Sequence, residues 1–274
     1  LWDVGDGVVA LEFTGKMNAL DEPVMRLIQK AIPLVKSEYK ALVVYNEGSN
    51  FSAGANLGLA MFALNIAAWS EVEKLVKGGQ DAYKALKYAP FPVVSAPFGM
   101  ALGGGCEICL NSDAIQAHAE TYIGLVECGV GIIPGWGGCG EYISRWKDNP
   151  VYPKGPMPAV SKAFETISTA TVAKSAAEAK ELGFLRRDDG ITMNRDRLLY
   201  DAKQRALAMV DGYEAPEKPV YRLPGPTGKA ALMLAVESFR KQGKATPHDE
   251  VVAGELAYVL TGGNTDVTEE VTEA

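Results

Sequence analysis

Residues 98–140 read FGMALGGGCEICLNSDAIQAHAETYIGLVECGVGIIPGWGGCG, and eleven of them are glycine (Gly99, Gly103, Gly104, Gly105, Gly124, Gly129, Gly131, Gly135, Gly137, Gly138 and Gly140). A core segment that gives up so many side chains loses packing and gains backbone access. Such a stretch suits a ligand lying against main-chain amides. Upstream, the apolar run Pro92–Ala96 reads as a strand, and Cys106–Asn111 reads as a helix, so Gly103–Gly105 mark a strand-to-helix junction. Glu107 falls in the first turn of that helix, where the dipole favours a carboxylate. Glu127 stands between Val126 and Cys128 in a mostly apolar setting, where a carboxylate needs a partner or a raised pKa.

Upstream, EGSNFSAGANLG (residues 47–58) forms a second small-residue loop after another apolar run, Ala41–Asn46. Two amides converging on one oxygen make an oxyanion hole, and one of them at a helix start adds the dipole field. Taken singly, the glycines read as close strand–helix packing, Glu107 as an N-terminal charge and Glu127 as a loop carboxylate. Together, flanking an oxyanion hole, the two carboxylates form a pair able to hold one water and shuttle protons.

The remaining chain alternates strand and helix. Val4–Thr14 predicts a strand pair turned at Asp6-Gly7. Asp21 predicts the cap of a helix reaching about Glu38, kinked at Pro33. Ala41–Asn46 predicts a buried parallel strand. Helices are expected over 59–68 and 70–88, then over 159–170, 175–182 (a capping box from Ser175 to Glu178), 198–209, 229–242 and 247–261, with a strand over 113–118. Trp146–Pro158 carries four prolines and predicts a surface loop, and Glu214–Pro226 a linker. The acidic TDVTEEVTEA at the end predicts the start of a helix. No internal repeat or low-complexity segment is present.

At 274 residues and 47% hydrophobic, the chain suffices for a full core. A net charge of −7 without a basic cluster argues against a nucleic-acid surface. No run reaches the roughly 18 apolar residues of a membrane helix, so no membrane partner is expected. The four cysteines, Cys106, Cys109, Cys128 and Cys139, all lie within the glycine-rich stretch and predict a reducing, cytoplasmic setting rather than a disulfide scaffold. Their spacing makes a poor zinc site, since Cys109 falls inside an apolar helix and no second CxxC exists. Gly225-Pro-Thr-Gly-Lys229 lacks the spacing of a phosphate loop. His118 and His248 read as structural or solvated. The chain opens at Leu1 rather than Met, which reads as a piece of a longer frame.

FSAGANL (51–57), GMALGGGCE (99–107) and LVECGVGIIPGWGG (125–138), preceded by KMNAL (16–20), together resemble the crotonase superfamily, specifically enoyl-CoA hydratases. The resemblance runs from about Val4 to Gly183. It implies an α/β fold, a spiral of ββα units with C-terminal helices, divided into a crotonase core over 1–205 and a helical region over 206–274. It implies that the Ala55 and Gly104 amides bind the thioester oxygen of an acyl-CoA. Glu107 and Glu127 match the two catalytic glutamates, Glu107 as base and Glu127 as proton donor to the α carbon. Lys16, Ala19, Ala53, Asn56, Leu57 and Gly103 take substrate-binding positions. The implied reaction is hydration of a trans-2-enoyl-CoA in fatty-acid β-oxidation, with no cofactor beyond the coenzyme A of the substrate. Isomerase, acyl-CoA hydrolase or a non-catalytic acyl-CoA-binding module are the alternatives.

Three features depart from the simple pattern. Asn56 stands where many members have Asp, which is expected to affect loop hydrogen bonding more than chemistry. The proline-rich 146–158 stretch reads as an insertion. GFLRRDDGITMNRDRLLYDAK (183–203) resembles the crotonase portion of multifunctional proteins that also carry a 3-hydroxyacyl-CoA dehydrogenase module. No GxGxxG fingerprint follows a strand here. The expected partners are accordingly an acyl-CoA thioester and either further copies of the chain, as a homotrimer or hexamer, or a covalently linked dehydrogenase module.

Overall fold

The computed structural model describes residues 1–273, and at Leu59 the main chain alone. Ala274, the last residue of the expected C-terminal region, lies outside the described residues. These residues divide into two compact units, neither continuous in sequence: Leu1–Gly124 with Gly135–Gly138 and Ala173–Pro216, and Leu125–Pro134 with Cys139–Val172 and residues 217–273.

The first unit is built on a six-stranded sheet. Its strands, numbered along the chain, are β1 (Trp2–Asp3), β2 (Val8–Leu11), β3 (Ala41–Val44), β4 (Val93–Ser95), β6 (Ala114–His118) and β8 (Gly190–Thr192), in the order β1-β2-β3-β4-β6-β8. All neighbours are parallel except β1, which returns antiparallel to β2 with Trp2 opposite Ala10. The Asp6-Gly7 reading holds, with φ of +58° and +81° there and a third left-handed residue, Gly5. β2, β3 and β4 are buried throughout, which explains their unbroken Val/Ala/Leu runs. β8 was not foreseen from the sequence, since its three residues are too few to show a period.

A second parallel layer stands beside this sheet, and most of it is too short to count as strand. β5 (Gly99–Leu102) pairs along its whole length with β7 (Thr121–Gly124). On the other side Ser52 bridges Ala101, and Ala55 bridges Leu20, both in parallel. β2, β3 and β4 of the large sheet are thus each followed by a segment of the small layer and then by a helix: β2, Leu20 and α1 (Glu22–Glu38); β3, residues 52–55 and α2 (Leu57–Asn65); β4, β5 and α4 (Gly104–Leu110). This is the expected spiral of ββα units. β5 is four residues opening on a glycine, too short to show a period, and Pro97 and Phe98 turn the chain from one layer to the other.

Among the first unit's helices, α1 begins as predicted, Asp21 accepting from the Val24 amide. It continues as one helix through Pro33. Pro33 is exposed, so the carbonyl it leaves unpaired can be hydrated. α3 (Trp69–Lys87), α7 (Ala176–Glu181) and α8 (Leu198–Ala208) complete this unit. Ser175 caps α7 through the Glu178 amide, while the Glu178 carboxylate reaches Lys174 N rather than the cap's own amide.

The second unit is mainly helical: α5 (Gly138–Asp148), α6 (Pro156–Ser168), α9 (Gly225–Lys241) and α10 (Pro247–Leu260), with α9 against α10 and α10 also against α6. The expected 146–158 loop shrinks to 149–155. Trp146 lies in the last turn of α5, its ring 4.6 Å from Tyr152 and perpendicular to Tyr142, and Pro156 and Pro158 lie in the first turn of α6, where a missing N–H costs nothing. The expected 214–226 linker contains β9 (Val220–Tyr221), and α9 starts inside it at Gly225. The acidic tail forms not a helix but β10 (Val271–Thr272), antiparallel to β9, with Arg222 paired to Glu270 at 2.9 Å. No helix among the described residues is long and apolar enough to cross a membrane.

Candidate active site

The first unit places two small-residue loops side by side. Ser52 N donates to Met100 O and Leu102 N to Ser52 O, so the 52–55 loop runs as a short strand along β5 and its continuation into α4. Gly54 carries φ +95°, and a Cβ on it would lie 2.8 Å from Leu102 O and 3.5 Å from Gly104 N. Only glycine fits there. At Gly103 φ is +53°, the sharp turn that ends β5 and opens α4 without a side-chain cap. Several neighbouring amides are engaged: Gly54 N with Ser52 Oγ, Asn56 N with Leu20 O, Gly103 N with Gly124 O and Glu107 N with Gly103 O. Among the described residues the Ala55 and Gly104 amides stand outside this network.

The turn Lys16–Asn18 is stitched to the same loop. Met17 O accepts from Ala53 N, Asn18 O from Ser52 Oγ, and the Asn18 amide group ties down Glu47 O and Asn50 O. Met17 and Asn18 both have positive φ, held by these bonds. Lys16, Ala19 and Ala53 therefore belong to one locality, with Lys16 exposed. Asn56 caps α2, its Oδ1 accepting from Gly58 N at 3.2 Å, and Leu57 is that helix's first residue.

Glu107 lies one turn into α4 and is 2% exposed. Its Oε1 accepts two main-chain N–H groups, from Trp136 and Gly138, each at 2.8 Å. Gly137 between them has φ +109°, and this left-handed residue turns the two flanking amides toward one oxygen. Burial raises the carboxyl pKa from its ordinary value near 4.5 to about 7, against the two amides, which favour the anion. A group poised there is half ionised at neutral pH, as a general base requires.

Three residues without a role in the sequence reading build this site. Trp136 is 6% exposed, and its indole meets the Tyr83 ring edge-on at 5.5 Å. Tyr83 Oη donates to Gly104 O at 2.9 Å, and Gln80 Nε2 donates to Gly135 O at 3.0 Å. The signal in the sequence was GWGG itself, a large aromatic among glycines; only the fold shows that the glycines serve the tryptophan.

Glu127 belongs to the second unit. Its side chain is buried, and it opens the helical turn Glu127–Val130, closed by Gly131 at φ +83°. Ile132 N returns to Glu127 O at 3.2 Å. The turn rests on α6 and α10, with His248 beside Gly131. Burial, the Glu127 charge and Asp249 push the Cys128 thiol up to about 12, so it is an inert thiol rather than a nucleophile.

Comparison with known proteins agrees with this geometry. Residues 4–146 match the family model for enoyl-CoA hydratase/isomerase. The chain is 43% identical over 275 residues to the Bacillus subtilis "Probable 3-hydroxyacyl-CoA dehydrogenase", covering all of this chain and 34% of that protein. It is 43% identical over 136 residues to the Rickettsia prowazekii "Putative fatty acid oxidation complex trifunctional enzyme", covering 50% of this chain and 19% of that one. The chain thus spans about a third or less of the length of these relatives. Among solved structures, an enoyl-CoA hydratase from Bacillus anthracis superposes with a TM-score of 0.63 at 23% identity, over 93% of this chain and 87% of that one. On its α/β architecture and its sequence, the chain has the crotonase fold and belongs to the enoyl-CoA hydratase/isomerase family.

Proposed function

We propose that this chain is an enoyl-CoA hydratase, adding water reversibly across a trans-2-enoyl-CoA to give a 3-hydroxyacyl-CoA. The observation that carries the reading is Glu107: a carboxyl buried from solvent, held at Oε1 by two main-chain amides one helical turn from Gly104, with burial raising its pKa to about 7. The thioester oxygen accepts from the Ala55 and Gly104 amides. Glu107 takes a proton from water, whose oxygen forms the new bond to C3 as the C2–C3 π electrons move into the enolate. The enolate charge rests on the thioester oxygen, where one such donor contributes roughly 3 kcal/mol to the transition state. Glu127 delivers the proton to C2, an assignment that rests on the LVECGVGIIPGWGG motif. Hydration is redox-neutral, so coenzyme A within the substrate is the only cofactor the reading needs.

Lys16, with the Ala19 and Ala53 main chain, forms the side that meets the coenzyme A portion. In this reading a dehydrogenase module consumes the 3-hydroxyacyl product, which the names of the longer relatives support, and the enzyme works in the cytoplasm as several copies or as part of a linked polypeptide. The test is a hydration assay on crotonyl- and decenoyl-CoA with product analysis. Formation of 3-hydroxyacyl-CoA by the wild type, abolished in a Glu107→Gln, Glu127→Gln double variant, supports the reading. A shifted double bond would mark an isomerase and free coenzyme A a hydrolase. Tight binding by calorimetry without turnover would mark a binding module.

A further inference from the structure

The indole of Trp136 occupies a slot that two glycines create. A Cβ on Gly104 would lie 2.7 Å from Trp136 Cζ3 and 2.9 Å from Cε3, and a Cβ on Gly79 of α3 would collide with Nε1, Cδ1 and Cε2. The ring is therefore clamped between the middle of α3 and the residue whose amide starts α4. Tyr83, one turn along α3 from Gly79, meets the same ring and hydrogen-bonds Gly104 O. Val76 and Gln80 engage Gly135 from the same helix face.

We propose that Trp136 is a positioning residue with two outputs: its indole fixes the Gly104 amide against α3, while its own N–H fixes Glu107. One rigid side chain thereby sets the spacing between the amide that receives the thioester oxygen and the carboxylate that activates water. An alanine here keeps the N–H but removes the strut. The 135–138 segment then loses its anchor on α3, and water gains access to the Glu107 carboxyl. Loss of burial lowers a carboxyl pKa toward its ordinary range. A misplacement of about 1 Å in a catalytic constellation costs on the order of 100-fold in rate.

The kinetic part of the test rests on the hydratase reading, and the spectroscopic part does not. In Trp136→Ala the expected kcat falls about 10- to 100-fold while KM changes by less than about threefold, and Trp136→Phe recovers most of the loss. Gly79→Ala, which presses on the ring from the opposite side, should reproduce the kcat defect without touching the site. Infrared titration of the Glu107 carboxyl, identified by its loss in Glu107→Gln, should show its midpoint near 7 in the wild type and lower in Trp136→Ala, with Trp136→Phe close to wild type. A Trp136→Ala protein that unfolds at lower temperature but keeps the wild-type kcat and carboxyl midpoint would overturn the proposal, leaving the indole as packing only. If that variant does not fold, Gly79→Ala decides: a wild-type kcat there would also overturn it, and a kcat defect would support it. A wild type that hydrates no enoyl-CoA would refute the hydratase reading, and the infrared titration would still decide the role of Trp136.

Discussion

The main-chain N–H of Trp136 points at Glu107 Oε1 from 2.8 Å, and the N–H of Gly138 reaches the same oxygen from the same distance. Both amides favour the anion, and burial opposes them and wins, setting the carboxyl near pH 7. If Glu107 is the base, hydration should rise with pH along a limb centred near 7, because only the carboxylate can take a proton from water. Glu107→Gln should remove that limb and lower kcat by at least about 100-fold, in the range of general acid–base contributions. Steady-state rates between pH 5 and 9 check both.

The same shift has a stability consequence of opposite benefit. Below about pH 4.5 Glu107 is protonated in both folded and unfolded chains and costs nothing. Between 4.5 and 7 the folded state holds the proton more tightly, so stability falls as pH rises, and above 7 the loss is complete. Two and a half pKa units correspond to about 3 kcal/mol. Glu107→Gln should therefore unfold at higher temperature than the wild type at pH 8, and the difference should shrink toward pH 4.5. Calorimetry at the two pH values measures it.

Gly137 has φ +109° and lies beside the Asn111 side chain. Gly137→Ala forces an L side chain into that conformation at a cost of about 1–3 kcal/mol. The two amides it orients should splay from Glu107, so the acid limb of the rate profile should move upward as the anion loses its donors. A pH–rate profile of the folded variant tests this.

Gly54→Ala should damage catalysis more than binding. Its Cβ would press on Leu102 O at 2.8 Å and displace the adjoining Ala55 amide. Loss of one oxyanion donor predicts a fall of about 100-fold in kcat, with a smaller change in KM. A raised KM with kcat unchanged would mean that the amide serves ground-state binding.

Asn56→Asp should be nearly silent. Asn56 caps α2 through Gly58 N, and Asp caps as well while adding a favourable charge at the helix start. Expected changes are under about 0.5 kcal/mol in stability and about threefold in kcat, since the substitution leaves the Ala55 and Gly104 backbone in place. Thermal melts and steady-state kinetics check it.

Sequence by itself determined the strands at Ala41–Asn46, Pro92–Ala96 and 113–118 and most helices of the first unit, the Asp21 and Ser175 caps, the two glycine loops and the resemblance that named the family. These are local properties: periodicity, φ preference and capping chemistry act over a few residues, so they survive in the linear text. Tertiary structure alone decided the rest. The small second layer is mostly single bridges such as Leu20 to Ala55, which carry no periodic signal. The proline-rich 146–158 stretch looked like one loop because proline is equally at home at a helix start, and only packing of Trp146 on Tyr142 and Tyr152 separates the two uses. The role of Trp136 was invisible because it depends on Gly79, Tyr83 and Gly104, brought together across more than fifty residues of sequence. Burial, not spacing, raises the Glu107 pKa, and burial is a property of the folded chain.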